Sequence, residues 1–337
     1  MKKQFFILIS IGVSIFCINS CKKETPEPTP NTSSLTPVEL KYPSYFPQMV
    51  LNPANPMSAE GVKLGRYLYY DTLLSNTGQS CSSCHNQNEG FTAYAANSLP
   101  HVNLGWGNYF LWNGQIAGTL EDAMQFEVND FFHTDISRFE NNAFYQPKFD
   151  RVFGTGAVTA QKIEFALGQF LRTVISSDSK FDRYQRYEEN LTLSELNGMT
   201  IFYTEKGDCF HCHTPGLFTD GIFHNNGIDS VFNGVNAGRY NVTGYSSDLG
   251  KFKSPTLRNI ELTAPYMHDG RYQTLEAVVE FYNSGVHFTP TVDPIMTKPA
   301  KLYGLLLSTQ EKADLVAFLK TLTDTTFTNN PDFSNPF

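Results

Sequence analysis

The sequence predicts a mostly α-helical protein of two domains. Apolar residues recur at helical spacing in several segments, and these segments open with a serine or threonine that can cap a helix. No segment shows the sustained apolar and polar alternation of a half-buried strand. With 337 residues, of which 41% are hydrophobic, the chain is long enough to bury two separate cores.

The N-terminus has the features of an export signal. Two lysines precede an apolar stretch from Phe5 to Ile18, which is shorter than the roughly 20 residues of a membrane-spanning helix. The residues before Cys21 resemble the lipobox of bacterial lipoproteins, although Asn19 departs from the usual pattern. We expect a signal peptide over residues 1–20 and a lipid on Cys21, with plain secretion and an uncleaved anchor helix as alternatives.

Residues 21–40 are rich in Pro, Thr, Ser and Glu, a composition that cannot bury a core and that predicts a tether. We predict folded domains over residues 41–186 and 187–337, with a polar stretch at their junction. Predicted helices open at Ser58, Ser194 and Ser308, and a further helix is predicted within the segment from Thr159 to Tyr187.

Charge excludes one class of partner. The net charge is −8, the isoelectric point is near 5.5, and basic residues form no run longer than a pair in the predicted domains. A nucleic-acid-binding surface needs a basic patch, so we expect no nucleic-acid partner.

Four of the six cysteines form two Cys-x-x-Cys-His units. Cys17 lies in the predicted signal and Cys21 at its end, so no cysteine is left for a structural disulfide. The two units are Cys81-Ser-Ser-Cys84-His85 and Cys209-Phe-His-Cys212-His213. Covalent c-type haem needs two thiols at this spacing and a histidine that binds the iron. A zinc site or a thioredoxin-like redox pair would each leave part of the motif unexplained. With one unit in each half, the predicted fold is two cytochrome c-like haem domains packed together.

Further segments make the chain resemble a known family. They are Asn108-Tyr-Phe-Leu-Trp112-Asn-Gly114 followed by Leu120-Glu121, Phe181-Asp182-Arg183-Tyr184, Phe218-Thr219-Asp220, Phe252-Lys-Ser-Pro-Thr-Leu-Arg-Asn259, and Thr263-Ala-Pro-Tyr-Met-His-Asp-Gly270. With them, roughly residues 45 to 325 resemble the bacterial di-haem cytochrome c peroxidases and the related maturation enzyme that oxidises tryptophans of methylamine dehydrogenase.

The resemblance implies a role for each haem site. His85 is expected as the proximal ligand of a peroxidatic haem and His213 as the proximal ligand of an electron-transfer haem. Trp112 is expected to relay electrons between them, whereas taken alone it reads as a core residue. The family also holds a calcium ion between its domains, which the resemblance assigns to Asn97, Thr263 and Pro265. An ordinary turn asparagine is the alternative reading of the first of these.

The distal side of the peroxidatic haem departs from the family pattern. The family glutamine position holds Ala123, and the family glutamate position holds His133, with Glu127 as the alternative if the alignment slips. Peroxide cleavage needs a group that accepts a proton from one oxygen and returns it to the other. A histidine can do this, so His133 is predicted as the acid–base residue, with a surface histidine as the alternative.

Two further ligand questions follow from the resemblance. His101 is a candidate to cap the peroxidatic iron, but counting from Trp112 places it outside the family's capping loop, so that iron is expected to be open. For the sixth ligand of the C-terminal haem we expect Tyr282 rather than Met267. The family position, counted from His268, falls on Tyr282, and the tryptophan-oxidising enzyme has a tyrosine there.

These expectations combine into one function. The chain is expected to reduce hydrogen peroxide to water with electrons from a small exported donor, such as a cytochrome c or a cupredoxin. A di-haem protein-modifying oxidase and a non-enzymatic di-haem electron carrier are the alternatives. The expected location is the periplasm or cell envelope, with the protein anchored through Cys21 and a homodimer as a further expectation.

Overall fold

The computed structural model describes residues 34–302 and 304–337. The predicted signal peptide, Cys21 and most of the predicted tether lie outside the described residues. Within the described ranges, no helix is long and apolar enough to cross a membrane.

The described chain is mostly helical, as predicted. The helices are α1 (Ala59–Tyr70), α2 (Leu120–Phe126), α3 (Gln146–Phe153), α4 (Ala160–Thr173), α5 (Lys180–Gln185), α6 (Leu193–Phe202), α7 (Tyr240–Thr243), α8 (Leu275–Glu280), α9 (Thr309–Lys320) and α10 (Thr325–Thr328). The strands form two short antiparallel pairs, β1 (Tyr109–Phe110) with β2 (Ile116–Ala117), and β3 (Phe223–His224) with β4 (Phe252–Lys253). Helices α2 and α8 each continue into one π-helical turn, Glu127–Phe131 and Phe281–Gly285 respectively.

Helix starts follow the capping residues in the sequence, with one correction. Ser58 and Ser308 cap α1 and α9 as predicted, and Thr159 caps α4 within the segment predicted to contain a helix. Each accepts a hydrogen bond from a backbone amide in the first turn. The prediction that α6 opens at Ser194 was wrong, because Thr192 is its capping residue. The Thr192 side chain accepts a hydrogen bond from the Glu195 amide, and the Glu195 side chain accepts one from the Thr192 amide, which makes a capping box. Ser194 lies within the helix.

Each half is built on a crossed pair of helices. Helix α1 crosses α4 at Gly65, where an added Cβ would lie 1.9 Å from the carbonyl oxygen of Ala166. Helix α6 crosses α9 at Gly198, where an added Cβ would lie 1.9 Å from the carbonyl oxygen of Asp314. Only a glycine allows the backbones to approach this closely, so the two halves use the same packing device.

Two hydrophobic cores form around these helix pairs. The first core extends from Leu64 to Val174 and the second from Phe181 to Leu322. Phe327 and Phe333, near the C-terminus, return to the first core. Residues Leu35–Phe337 therefore form one compact unit that contains two cores, and the domain division at residues 186 and 187 stays a prediction.

Polar contacts tie the junction between the cores to the rest of the chain. One carboxylate oxygen of Asp324 accepts hydrogen bonds from the amides of Ser177 and Asp178 at 3.0 and 2.9 Å. In the second half, Arg258 donates two hydrogen bonds to Asp182 at 2.8 and 2.9 Å, with both side chains fully buried. Burial opposes ionisation, but the Arg258 contact prevails and lowers the pKa of Asp182 to about 2.

Candidate active site

The two Cys-x-x-Cys-His units adopt the same local structure. Each pair of cysteines is joined by a single 3₁₀ turn, Cys81–Ser83 in the first half and Cys209–His211 in the second. All four cysteines are free thiols. Thiols on one short turn, with a histidine directly after, satisfy the local requirement for covalent haem attachment.

Both motif histidines are oriented by a backbone carbonyl. His85 donates from Nδ1 to the carbonyl of Phe91 at 3.1 Å, and His213 donates from Nδ1 to the carbonyl of Phe218 at 3.1 Å. This bond leaves Nε2 of each ring with its lone pair, the form that binds iron. Burial lowers the pKa of His85 to about 4 and also lowers that of His213, so both rings are neutral at physiological pH.

A cavity lies against the second motif and suits a haem. Its walls are largely apolar and are contributed by helices α6, α8 and α9, which suits a flat hydrophobic macrocycle. The residues that line it include Phe202, Cys209, Cys212, His213, Phe252, Lys253, Leu275, Val279, Leu315 and Leu319.

Lys253 places a lysine side chain in the wall of this cavity, which the sequence prediction missed. Its ammonium group makes no hydrogen bond or salt bridge within the described part of the chain, and burial lowers its pKa to about 8. A haem carboxylate would supply the missing partner. The signal available in the sequence was a lysine between the apolar Phe252 and the Ser-Pro-Thr-Leu run.

Tyr282 and Met267 both line this cavity. Asn226 lies between them, with Nδ2 at 3.2 Å from the Tyr282 hydroxyl and 3.6 Å from the Met267 sulfur. Burial raises the pKa of Tyr282 to about 12. Either side chain would offer a donor atom to the iron of a haem bound in this cavity, and the choice of Tyr282 stays a prediction. Asn226 is a second residue that the sequence analysis missed.

His224 is a partly buried histidine in the wall of the same cavity. Its ring nitrogens lie 2.7 Å from Asp220 and 2.6 Å from Asp293. Burial acts against the charged form, but these two carboxylates prevail and raise the pKa of His224 to about 12. The spacing of four residues between Asp220 and His224 was the only sequence signal of this group.

Trp112 comes from the first half and lies in the wall of the second-half cavity. Its Nε1 donates to the carbonyl of Asn97 at 3.4 Å, and its own carbonyl accepts from the Lys253 amide at 2.8 Å. The residue predicted to relay electrons is therefore in contact with elements of both halves.

The residues predicted for calcium converge beside Trp112. Asn97, Thr263 and Pro265 line the same cavity. The Asn97 side chain donates to the carbonyls of Met267 and His268 at 3.2 and 3.1 Å. Backbone carbonyl and side-chain amide oxygens are ligands that suit calcium. The calcium site stays a prediction.

On the distal side of the first half, the two acid–base candidates differ in burial. Ala123 is buried on α2, and Glu127 is partly buried at the start of the π turn, close enough to Cys81 to interact with it electrostatically. Burial raises the pKa of Glu127 from 4.5 to about 7. His133 is exposed, and its Nδ1 donates to the carbonyl of Asn129 at 3.0 Å. Glu127 is the more enclosed of the two candidates, and the choice of the acid–base residue stays a prediction.

His101 lies beside the proximal ligand. Its ring stacks on the His85 ring with centroids 3.4 Å apart and planes 11° apart. Two imidazoles that bind one iron from opposite faces point their nitrogen atoms at each other and do not stack. The expectation that His101 does not cap the peroxidatic iron stays a prediction.

Comparison with known proteins finds relatives over most of the chain. A family model described as di-haem cytochrome c peroxidase matches residues 59–190. The methylamine utilization protein MauG of Methylorubrum extorquens is 32% identical over 297 residues, which cover 82% of this chain and 82% of the relative. The cytochrome c551 peroxidase of Nitrosomonas europaea is 31% identical over 318 residues, which cover 86% of each chain.

Solved structures share the fold. A MauG-like protein associated with microbial copper homeostasis is 34% identical, with a TM-score of 0.80 over 89% of this chain and 99% of that one. The diheme peroxidase BthA from Burkholderia thailandensis is 19% identical, with a TM-score of 0.63 over 90% of this chain and 98% of that one. Haem c, which the family implies, fits the paired cysteines and the cavity described above. On these similarities, the chain belongs to the di-haem cytochrome c peroxidase family.

Proposed function

We propose that this protein reduces hydrogen peroxide to water in its first half, with electrons that enter through its second half from a small exported donor. Two covalent haems would supply the electron storage and the iron that binds peroxide. The observation that carries the proposal is the placement of Glu127. This partly buried carboxyl lies close enough to Cys81 to interact with it electrostatically, and burial raises the pKa of Glu127 to about 7.

The chain's own groups divide the work. Glu127 would take the proton from one peroxide oxygen and return it to the other. His85 and His213 would hold the two irons, Tyr282 would complete the second site, and Trp112 would connect the halves. Lys253 would pair with a haem carboxylate, and Asn97, Thr263 and Pro265 would hold calcium beside Trp112.

The purified holoprotein tests this proposal. Mass spectrometry of the denatured chain should show two retained haems, and peroxide should be consumed with a reduced cytochrome c or cupredoxin as donor. A chain that retains both haems but shows only six-coordinate iron and no peroxide consumption would instead be an electron carrier.

A second candidate is a di-haem protein-modifying oxidase. The observation that favours it is Tyr282 in the second cavity, together with the similarity to MauG and to the MauG-like protein associated with copper homeostasis. We include exported copper-handling proteins among the partners to test. Peroxide-dependent oxidation of a partner's aromatic residues, without turnover of a reduced cytochrome, would select this function.

We propose that the protein acts in the periplasm or cell envelope, anchored by a lipid on Cys21. The support is the sequence pattern of residues 1–21 alone. Labelling with a radioactive fatty acid in cells should mark the wild type and not Cys21→Ser. A homodimer is testable by light scattering of the holoprotein.

A further inference from the structure

The two halves of the molecule can be aligned residue by residue at their helix crossings. Gly65 and Gly198 occupy the same place, because an added Cβ would contact Phe170 Cβ in one half and Phe318 Cβ in the other, at 2.8 Å in both. Each half therefore provides an internal reference for the other.

A second pair of equivalent positions fixes the loop beside each proximal histidine. Asn103 and Asn259 both have left-handed backbones, with φ of 55° and 62°, and both precede a 3₁₀ turn. Two residues before them, the amides of His101 and Leu257 donate to the carbonyls of Phe91 and Phe218, respectively. These are the same carbonyls that accept from the proximal histidines.

This register shows that the halves differ at two matched positions. Tyr69 lies four residues after Gly65, where the second half has Phe202 four residues after Gly198. His101 of the first half likewise lies at the position that Leu257 occupies in the second half. The first half thus has a tyrosine and a histidine where the second has a phenylalanine and a leucine.

Tyr69 and His101 contact each other and the proximal ligand. The Tyr69 hydroxyl lies 3.2 Å from His101 Nδ1 and 3.1 Å from the carbonyl of His85. The His101 ring stacks on His85, and Tyr69 is fully buried and close to Cys81. Packing alone does not require the polar pair, because the second half fills the same space with apolar side chains.

We propose that Tyr69 and His101 form a redox site of the first haem, an inference that rests on the proposed reaction with peroxide. Tyr69 gives one electron toward the peroxide-oxidised haem, and its O–H bond breaks as the phenolic proton passes to His101 Nδ1. The products are a neutral tyrosyl radical, a protonated His101 and a haem reduced by one electron. Of the two atoms near the hydroxyl, only the imidazole nitrogen can take the proton, because a carbonyl oxygen is not a base.

Tyr70 lies beside this site. Its ring centroid lies 5.2 Å from that of Tyr69, and its half-buried hydroxyl donates to the carbonyl of Phe333 at 2.7 Å. The Phe333 carbonyl cannot take a proton from Tyr70, so the radical is expected to stay on Tyr69.

The test is electron paramagnetic resonance of the holoprotein, frozen within milliseconds of mixing with one equivalent of hydrogen peroxide. The wild type should give an organic-radical signal that narrows when the protein carries ring-deuterated tyrosine. Tyr69→Phe should abolish the signal. His101→Leu should slow its formation by ~10²-fold or more, because the proton acceptor is lost. The second half already accepts the substituted residues, so both variants are expected to fold.

Tyr145 is the matched control. It is also buried in the first core, and its hydroxyl donates to Asp71 at 2.6 Å. Within the described residues its ring contacts phenylalanines and no histidine. Tyr145→Phe should keep the radical signal at the wild-type yield.

Haem absorbance, recorded in the same experiment, separates two failures. If peroxide changes the haem spectrum but the wild type forms no tyrosine radical signal, the redox site is overturned and the peroxidase function stands. The same holds if the Tyr69→Phe variant still forms the radical signal. A wild-type signal rate in His101→Leu overturns the role of His101. A haem spectrum that peroxide leaves unchanged overturns the peroxidase function and this inference with it.

Discussion

At the scale of single residues, burial separates groups that the sequence presents as equals. Glu127 and His133 lie six positions apart, and either can move a proton. Glu127 is partly buried near Cys81, whereas His133 is exposed to solvent. Burial disfavours the carboxylate and brings its pKa to about 7, where it can both accept and donate a proton near neutral pH.

The first prediction concerns the acid–base group. Glu127→Gln should slow peroxide reduction by ~10²–10⁴-fold and remove a rise in rate as pH increases through about 7, since the ionised carboxylate takes the proton. Stopped-flow haem absorbance across pH measures both effects. His133→Ala is the control and should leave the rate near the wild-type value. The reverse pattern would return the assignment to His133.

The second prediction follows from linkage at the same carboxyl. Because its pKa is raised from 4.5 to about 7, the folded protein binds the extra proton between these values. The associated stability is fully present below pH 4.5 and is lost as pH rises through 7. Denaturant unfolding of the holoprotein should show this loss in the wild type and not in Glu127→Gln. An equal pH slope in both proteins would contradict the assigned burial.

The third prediction concerns the second axial ligand. Tyr282→Phe removes the only oxygen donor of this side chain, so it should open or re-ligate the second haem and change its visible spectrum. A phenolate stabilises ferric iron, so the haem's reduction potential should also rise. Met267→Leu is the control, because Met267 also lines the cavity. A near-infrared methionine-to-iron band that disappears in Met267→Leu would contradict the assignment.

At the scale of elements, each half presents its candidate residue on a π turn. Glu127 opens the turn that follows α2, and Tyr282 lies in the turn that follows α8. A π turn widens the helix and re-aims the side chains that follow it, and such turns are frequent at functional sites. Neither α2 nor α8 is among the helices that the apolar pattern predicted, and that pattern contains no signal for the change in pitch.

The fourth prediction tests the crossed helices. Gly65→Ala and Gly198→Ala each insert a methyl group 1.9 Å from a backbone oxygen, so each should destabilise its half by ~1–3 kcal/mol or more. Denaturant unfolding followed by haem absorbance measures the loss. Gly168→Ala on α4 is the control, because its nearest neighbour is the end of Arg172 at 3.3 Å. That substitution should be neutral or should stabilise the helix by up to ~1 kcal/mol. Equal effects at all three sites would contradict the close-crossing explanation.

At the scale of the whole molecule, Trp112 joins the halves. It belongs to the first half, yet it lies in the wall of the second cavity and contacts Asn97 and Lys253. The C-terminal segment makes the opposite connection, because Phe327 and Phe333 complete the first core. Two haem sites with separate cores are thus held in one compact unit.

The fifth prediction tests this connection. Trp112→Phe should leave both haems attached but slow electron transfer between them, because phenylalanine is much harder to oxidise than tryptophan. Stopped-flow reduction of the holoprotein, followed at the two haem bands, measures the transfer. Trp106→Phe is the control, since Trp106 packs against Tyr42 and Phe46 and donates to the carbonyl of Pro47. Equal rates in the wild type and Trp112→Phe would rule out the relay.

The sequence by itself determined the fold class and the two Cys-x-x-Cys-His motifs that indicate the family, because helix caps, apolar periodicity and motif spacing are local properties of the chain. The prediction of His85 and His213 as iron ligands needed no tertiary information for the same reason. The tertiary structure alone decided that His101 stacks on His85, that Glu127 is partly buried while His133 is exposed, and that Phe327 returns to the first core. These relations join residues that are far apart in the chain or differ only in burial. They arise from how the helices pack, and no local pattern encodes them.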